Sequence, residues 1–316
     1  MNEATFYELR DTGLISVEGD DAVAFVHAQL TSDVAGLAVP KTQYSGYCSP
    51  KGRLLATLLV WRLPDRLFLQ LPLALSEGVR TRLAKYVLRA KARLVDAKPG
   101  WTLFGASGVD PAMVLPFARA SLASPHDVAA AADVAVACMS PGRFLILASA
   151  ERAPRVRAVL EASAREGSES EWARLDIAAG IPWIDQSTQD EFVPQMVNLD
   201  LIGAVSFSKG CYPGQEIVAR THYRGRVKQR MHPIRIPPEA APSPGDPLYS
   251  PLLGIDQASG TLVNIAPNDE GGHDALAVIY TAALRAGTLR LQSVDGPPVA
   301  LGSLPYALPP EDATDG

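Results

Sequence analysis

The sequence is poor in cysteine, in unbroken apolar runs and in excess positive charge, and each shortage removes a class of protein. Three cysteines, Cys48, Cys138 and Cys211, make an odd set with no CxxC spacing, which argues against a disulfide framework and against a self-contained zinc site. A reducing compartment fits that usage. No apolar run is long enough to span a bilayer, and Met1 to Arg10 carries Glu3 and Glu8 in place of an apolar signal core, so neither a secretory nor a transit segment is visible. A cytoplasmic protein without a membrane partner is expected. The net charge of -5 disfavours a protein that coats nucleic acid through its overall charge. There is no internal repeat, no Walker A loop, no dinucleotide fingerprint and no HExxH motif, and no metal site is assigned.

What is present suits a globular chain of two or three domains: 316 residues, 47% hydrophobic and 20% charged. Leu14 to Val17 reads as a strand, followed by a helix to about Leu30 that Asp20 can cap. Val23, Val26, His27 and Leu30 recur at helical spacing, so His27 is expected to be structural. Tyr44 to Cys48, Arg53 to Arg62 and Arg66 to Leu71 form an antiparallel meander with turns at Ser49-Pro50-Lys51-Gly52 and Leu63-Pro64-Asp65. A helix is expected over Ser76 to Arg93, with its many basic residues on a solvated face. Strand Trp101 to Gly105, an alanine-rich helical or loop stretch, strands Val134 to Cys138 and Arg143 to Ser149, and a helix over Ala150 to Ala164 suggest a small ferredoxin-like sheet with helices on one side. Cys138 lies inside an apolar strand and is expected to be packed.

A helix over Trp172 to Ala179 ends at Gly180 and Pro182. Val227 to Ile236 reads as a strand, Tyr223 to Arg226 as a turn, and Pro237 to Pro247 as a linker or long loop. Short strands at Leu248 to Tyr249, Gly260 to Val263, Ala275 to Tyr280, Leu289 to Leu291 and Val299 to Leu301 suggest a small β-barrel or sandwich. Pro309 to Gly316 is expected to be disordered.

The densest chemistry is Lys209 to Arg220, Lys-Gly-Cys-Tyr-Pro-Gly-Gln-Glu-Ile-Val-Ala-Arg. Gly210 and Pro213-Gly214 break the backbone before Gln215 to Arg220 resumes as a helix. Cys211 therefore lies on a loop leading into a helix N-terminus, where the dipole can lower a thiol pKa or hold an anion. A tight turn around a small buried cysteine explains the same residues, and both readings stay open on composition. Between Lys209 and Arg230 six basic residues, Lys209, Arg220, Arg224, Arg226, Lys228 and Arg230, face Glu216 alone. Such a local positive field suits a small anion or a limited stretch of nucleic acid, against the alternative of a solvated strand and turn.

The segment Lys209 to Glu216 resembles the signature of the YgfZ family, folate-binding proteins implicated in iron–sulfur cluster assembly and tRNA modification. Phe192-Val193-Pro194-Gln195, Asn198-Leu199, Ile217 to Arg220, Gln29 to Val34 and Lys51-Gly52 extend the likeness over most of the chain. That family is similar in fold to the T protein of the glycine cleavage system, a tetrahydrofolate-dependent aminomethyltransferase. The resemblance implies an α+β, multidomain ring around a central folate channel. Residues 1–230 would form the folate-binding region, with a ferredoxin-like subdomain inserted at about 95–170, and 231–316 a C-terminal β-barrel. It further implies that Cys211 and Lys209 are the functional pair. Tetrahydrofolate would be held by Trp172, Asp176, Gly210, Tyr212, Gly214, Gln215, Glu216 and Arg220.

Two departures bear on chemistry. Aminomethyltransferases carry a Gly-Gly-x-x-Asp-Asp type motif after the meander turn, whose aspartate acts at the folate nitrogens, whereas Lys51 to Ala56 here has no carboxylate. A general acid/base for one-carbon transfer is thereby missing. Relatives also place a glutamate two residues before the glycine of Leu175 to Gly180 to pair with the pterin, and Ala178 stands there. Asp176 lies about 200° around a helix from Ala178. The resulting expectation is an accessory protein serving iron–sulfur proteins or their assembly machinery, including tRNA-modifying enzymes, with folate as a ligand. A tetrahydrofolate-dependent transferase or demethylase and a tRNA-binding module working through Arg220 to Arg230 are the alternatives.

Overall fold

The computed structural model describes residues 3–224, 227–252 and 257–309. In chain order its strands are β1 (Thr5–Glu8), β2 (Thr12–Glu18), β3 (Lys41–Cys48), β4 (Leu54–Arg62), β5 (Leu67–Pro72), β6 (Arg93–Asp96), β7 (Trp101–Ser107), β8 (Val128–Ala130) and β9 (Val134–Ser140). They continue with β10 (Arg143–Ser149), β11 (Arg165–Glu166), β12 (Gln229–Ile236), β13 (Pro247–Tyr249), β14 (Gly260–Pro267), β15 (His273–Tyr280), β16 (Leu289–Leu291) and β17 (Pro298–Leu301). The helices are α1 (Ala22–Gln29), α2 (Leu73–Ala84), α3 (Ala118–Ser121), α4 (Ala153–Glu161), α5 (Glu169–Ala178), α6 (Gln215–Arg224) and α7 (Thr281–Ala286). Among the described residues no helix is long and apolar enough to cross a membrane.

Two compact units divide the chain. The first joins Met1–Ser45 to Leu58–Trp172, and the second joins Gly46–Thr57 to Ala173–Gly316. In the first unit a six-stranded sheet runs β11-β1-β7-β10-β9-β8. Alternation along these strands sends Phe6, Phe104, Val136, Ile146 and, from α4, Leu160 into one core, where Cys138 is also packed. The chain's first strand, β1, thus belongs to the same sheet as the segment 95–170, pairing antiparallel with β7 from Thr5 opposite Ser107 to Glu8 opposite Phe104. The meander β3-β4-β5 extends to β2 and β6 in a five-stranded sheet. The residues around its β3–β4 turn are counted with the second unit.

Three expectations from local pattern change in the first unit. The helix expected to Arg93 stops at Ala84, because the N–H groups of Lys85, Tyr86 and Val87 bond carbonyls three residues back and Leu88 enters the left-handed region at φ 44°. Arg93–Asp96 is needed as the partner of β2, and Asp21 accepts from the Lys91 N–H, so strand pairing overrides a good helical propensity. The alanine-rich stretch contains strand β8, which pairs Val128 to Ala130 with β9. Asp20 does not cap α1, whose flanking residue is Asp21.

The second unit ends in a closed barrel, β12-β15-β14-β13-β16-β17, filled by Ile234, Leu248, Leu262, Ala277, Ile279 and Leu291. Closure removes the exposed edges that six short strands would otherwise present. All five strands expected after Pro247 are in it, and so is β12, which makes Pro237 to Pro247 a loop between two strands of one barrel. Tyr223 and Arg224 form the last turn of α6, while residues 225 and 226 of the expected turn lie outside the described residues, as do most of 309–316.

Candidate functional site

The stretch Lys209 to Glu216 is placed by a backbone-to-backbone contact with the β3–β4 turn. That turn closes through the Ser49 N–H on the Arg53 carbonyl at 2.8 Å and the Gly52 N–H on the Ser49 carbonyl at 2.9 Å, with Gly52 left-handed at φ 70°. Gly214 is left-handed too, at φ 80°. A Cβ on Gly214 would lie 2.5 Å from the Ser49 carbonyl oxygen and 2.6 Å from the Gly52 Cα, and one on Gly52 would lie 2.8 Å from the Ile217 Cβ. Both glycines are therefore required twice over, for φ and for space. Gly210 is different, with open space where its Cβ would be.

This docking separates three neighbours by environment. Tyr212 is buried, and burial first, then the adjacent Cys48, pushes its phenol well above the ordinary range. Cys48, at the end of β3, is also buried; its thiol is pushed up strongly by that burial and further by the Asp190 carboxylate, so it is a protonated packing group. Cys211 is exposed. The Lys209 ammonium nitrogen lies 5.2 Å from the centroid of the Tyr212 ring, near enough for a cation–π contact, and the Lys209 N–H donates to Ser206 Oγ at 3.3 Å. Asp190, unremarked in the sequence, accepts from Ser49 Oγ at 2.6 Å and so brings a carboxylate to the turn whose own residues have none.

The helix α6 opens directly after this loop, with the Val218 N–H on the Gly214 carbonyl at 3.3 Å. Glu216 sits exposed in its first turn, where the helix dipole favours a negative charge. Arg220 is exposed one turn further on. The segment before the motif holds α6 and β12 in place: Gln195 Nε2 donates to the Val218 carbonyl at 2.7 Å, and Asn198 Nδ2 donates to the Met231 carbonyl at 2.8 Å. Arg230 makes a two-pronged ion pair with Asp200, at 2.7 and 3.0 Å, and also donates to the Gln195 carbonyl. One of the six cations counted between Lys209 and Arg230 is thus neutralised inside the fold. The sequence marks Gln195 and Asn198 only through the family likeness and does not mark Asp200.

Two further residues expected to bind folate, Asp176 and Trp172, each have partners of their own. Asp176 on α5 is buried and accepts from Trp183 Nε1 at 2.9 Å, while Ala178 is exposed. Trp172 belongs to the first unit, where its ring lies on Gly105, has the Arg143 guanidinium carbon 4.0 Å from its centroid and meets Tyr7 at 5.5 Å.

No family model matches the sequence. The tRNA-modifying protein YgfZ of Edwardsiella ictaluri strain 93-146 is 33% identical over 307 residues, which covers 96% of this chain and 92% of that protein. The chain belongs to the YgfZ family. YgfZ proteins of Yersinia enterocolitica and Sodalis glossinidius are 29% and 27% identical, again over 96% of this chain and 93% of each relative. The glycine cleavage system aminomethyltransferase T from Bartonella henselae shares the fold, with a TM-score of 0.76 over 96% of this chain and 86% of that one, at 17% identity. The aminomethyltransferase-like α+β fold implied by the motif is therefore the fold of this YgfZ member.

The contrast between the cysteines is testable. With iodoacetamide near neutral pH, Cys211 of the folded protein is expected to be alkylated at least about 100-fold faster than Cys48 or Cys138, because the thiolate is the nucleophile and burial suppresses both its formation and its access. Peptide mapping by mass spectrometry reads the order directly, and labelling of Cys48 at the rate of Cys211 would contradict the burial argument.

Proposed function

We propose that this protein is a folate-binding accessory factor for the assembly or maintenance of iron–sulfur enzymes, among them enzymes that modify tRNA, and that Cys211 is its working group. The observation that carries this reading is the exposed Cys211 thiol on a loop whose backbone is pinned by Gly52 and Gly214, at the head of α6 and next to Lys209. The YgfZ relatives, named as tRNA-modifying proteins, support the link to tRNA modification. One thiol cannot hold a cluster alone, since clusters take four protein ligands, so Cys211 acts in a shared, transient contact with a partner. Lys209 orients an anionic sulfur species or the thiolate itself. Folate is an auxiliary ligand in this reading. Asp176 has one oxygen committed to Trp183, and Ala178 offers no group to a pterin, so the donor set lacks the carboxylate of the family's site and no reaction step is assigned to folate.

In a strain lacking the protein, the wild-type chain is expected to restore iron–sulfur enzyme activity and Cys211→Ser to restore almost none. Full restoration by Cys211→Ser would remove the thiol from the mechanism. Tetrahydrofolate is expected to quench tryptophan fluorescence saturably, with most of the change lost in Trp172→Phe. No saturable change would remove folate and leave the thiol reading standing.

A further inference from the structure

The thiol loop and the dipole of α6 do not account for the other end of that helix. Among its described side chains only Val218 is buried, while Glu216, Ile217, Arg220, His222 and Tyr223 are exposed, so α6 contributes little to any core. Its last turn carries His222 and Tyr223, which meet Phe207 from the segment before the motif, so that three rings are in mutual contact. His222 stacks on Phe207 with centroids 3.7 Å apart and planes 13° from parallel. Tyr223 meets His222 edge-on at 4.8 Å and Phe207 at 6.3 Å. Core packing would bury such a cluster, yet Tyr223 is 68% exposed and His222 remains exposed with one face already on Phe207. Adjacent exposed aromatic surface of this kind marks a recognition site.

The charge around the rings selects the partner. Arg220 and Lys228 are exposed on either side of them in the chain, the sequence from Ile217 to Arg230 has no carboxylate, and Arg230 is spent on Asp200. Cations that flank flat π-surfaces in the sequence, on a chain of net charge -5, match a polyanion that also offers unstacked rings. Unpaired nucleotides have both features, since bases stack on aromatic side chains while phosphates take the cations. An acidic peptide would satisfy the charge and leave the rings unused.

We propose that Phe207, His222 and Tyr223 form a stacking platform for unpaired bases of RNA, with Arg220 and Lys228 holding the flanking phosphates. The choice of RNA rests on the tRNA-linked part of the function proposed above. Because α6 follows the Cys211 loop and carries two of these rings, the platform would bring a single-stranded RNA segment to the helix next to the thiol loop.

The test is fluorescence anisotropy of unmodified tRNA, a short single-stranded RNA and a fully paired RNA duplex against the full chain at low salt. Tyr223→Ala and His222→Ala are each expected to weaken tRNA and single-strand binding by about 5- to 100-fold, the range for one lost base stack. Tyr223→Phe, which keeps the ring, should stay within about 2-fold of wild type. Arg220→Ala should weaken all RNAs alike and lower the salt slope by about one. These positions are exposed, so the variants should fold normally, which circular dichroism checks. Wild-type binding by both alanine variants, equal loss in Tyr223→Phe and Tyr223→Ala, or the duplex bound as tightly as the single strand would each overturn the platform. Neither Cys211→Ser complementation nor the folate titration involves these rings, so the platform and the thiol function can fail separately.

Discussion

Arg230→Ala is expected to lower the stability of the protein by about 3–5 kcal/mol, the usual cost of removing one partner from a buried ion pair. The pair is well enclosed, with side chains only 13% and 9% exposed for Arg230 and Asp200. Alanine would leave the Asp200 carboxylate without its two guanidinium bonds and the Gln195 carbonyl without its donor. A buried charge left alone costs more than the pair is worth. The urea-unfolding midpoint reads this loss, and Arg230→Lys should fall between wild type and alanine because an ammonium cannot reproduce the two-pronged geometry. The paired replacement Arg230→Met with Asp200→Leu should recover much of the loss, since no charge is then stranded. A drop of under 1 kcal/mol for Arg230→Ala would mean that the pair is solvated in solution. The effect should also reach α6, because Gln195, which receives the Arg230 bond, itself holds the Val218 carbonyl.

The second large effect falls on the glycines beneath the thiol loop. Gly214→Ala should cost about 2–5 kcal/mol. The left-handed backbone contributes about 1–2 kcal/mol for a residue with a Cβ, and the forced separation from backbone atoms contributes about 1–3 kcal/mol. The neighbours at 2.5 and 2.6 Å are the Ser49 carbonyl and the Gly52 Cα, neither of which can swing aside as a side chain would. Gly210→Ala is the matched control, one turn of sequence away in the same motif and facing open space, and should change stability by no more than about 0.5 kcal/mol. If the two substitutions cost the same, the contact between the β3–β4 turn and the motif is not what holds the loop. Because Cys211 lies between the two glycines, Gly214→Ala should also impair complementation in the deletion strain while leaving the thiol itself intact.

These two predictions mark where local reading stops. Gly210 and Gly214 look alike in the sequence, both interrupting an otherwise ordinary stretch, and Arg230 looks like the other cations that follow Arg220. Their differences come from residues far away in the chain: Gly52 opposite Gly214, and Asp200 opposite Arg230. The same holds for α2, whose pattern continues as a helix to Arg93 until the pairing of Arg93–Asp96 with β2 and the bond from Lys91 to Asp21 draw the chain away. Gln195 and Asn198 carry no recognisable chemistry until the Val218 and Met231 carbonyls are found within their reach.

Much else was legible. Short apolar runs bounded by Gly, Pro and Asp turn residues located the meander and every barrel strand after Pro247, since turn chemistry acts on the nearest backbone. Pro213-Gly214 announced the start of α6, since a fixed φ and a left-handed φ act on the nearest backbone alone. The motif from Lys209 to Glu216 was enough to indicate the family and, through it, the fold. The meander, the barrel strands, the turn positions and family membership were therefore set by short-range backbone preference and by residue identity. The exposure of Cys211 beside a buried Cys48, the neutralisation of Arg230, the meeting of Gly52 with Gly214 and the ring cluster of Phe207, His222 and Tyr223 were set by folding. Each depends on which distant segment fills the neighbouring space, and desolvation, ion pairing and steric fit have no value until that neighbour is in place.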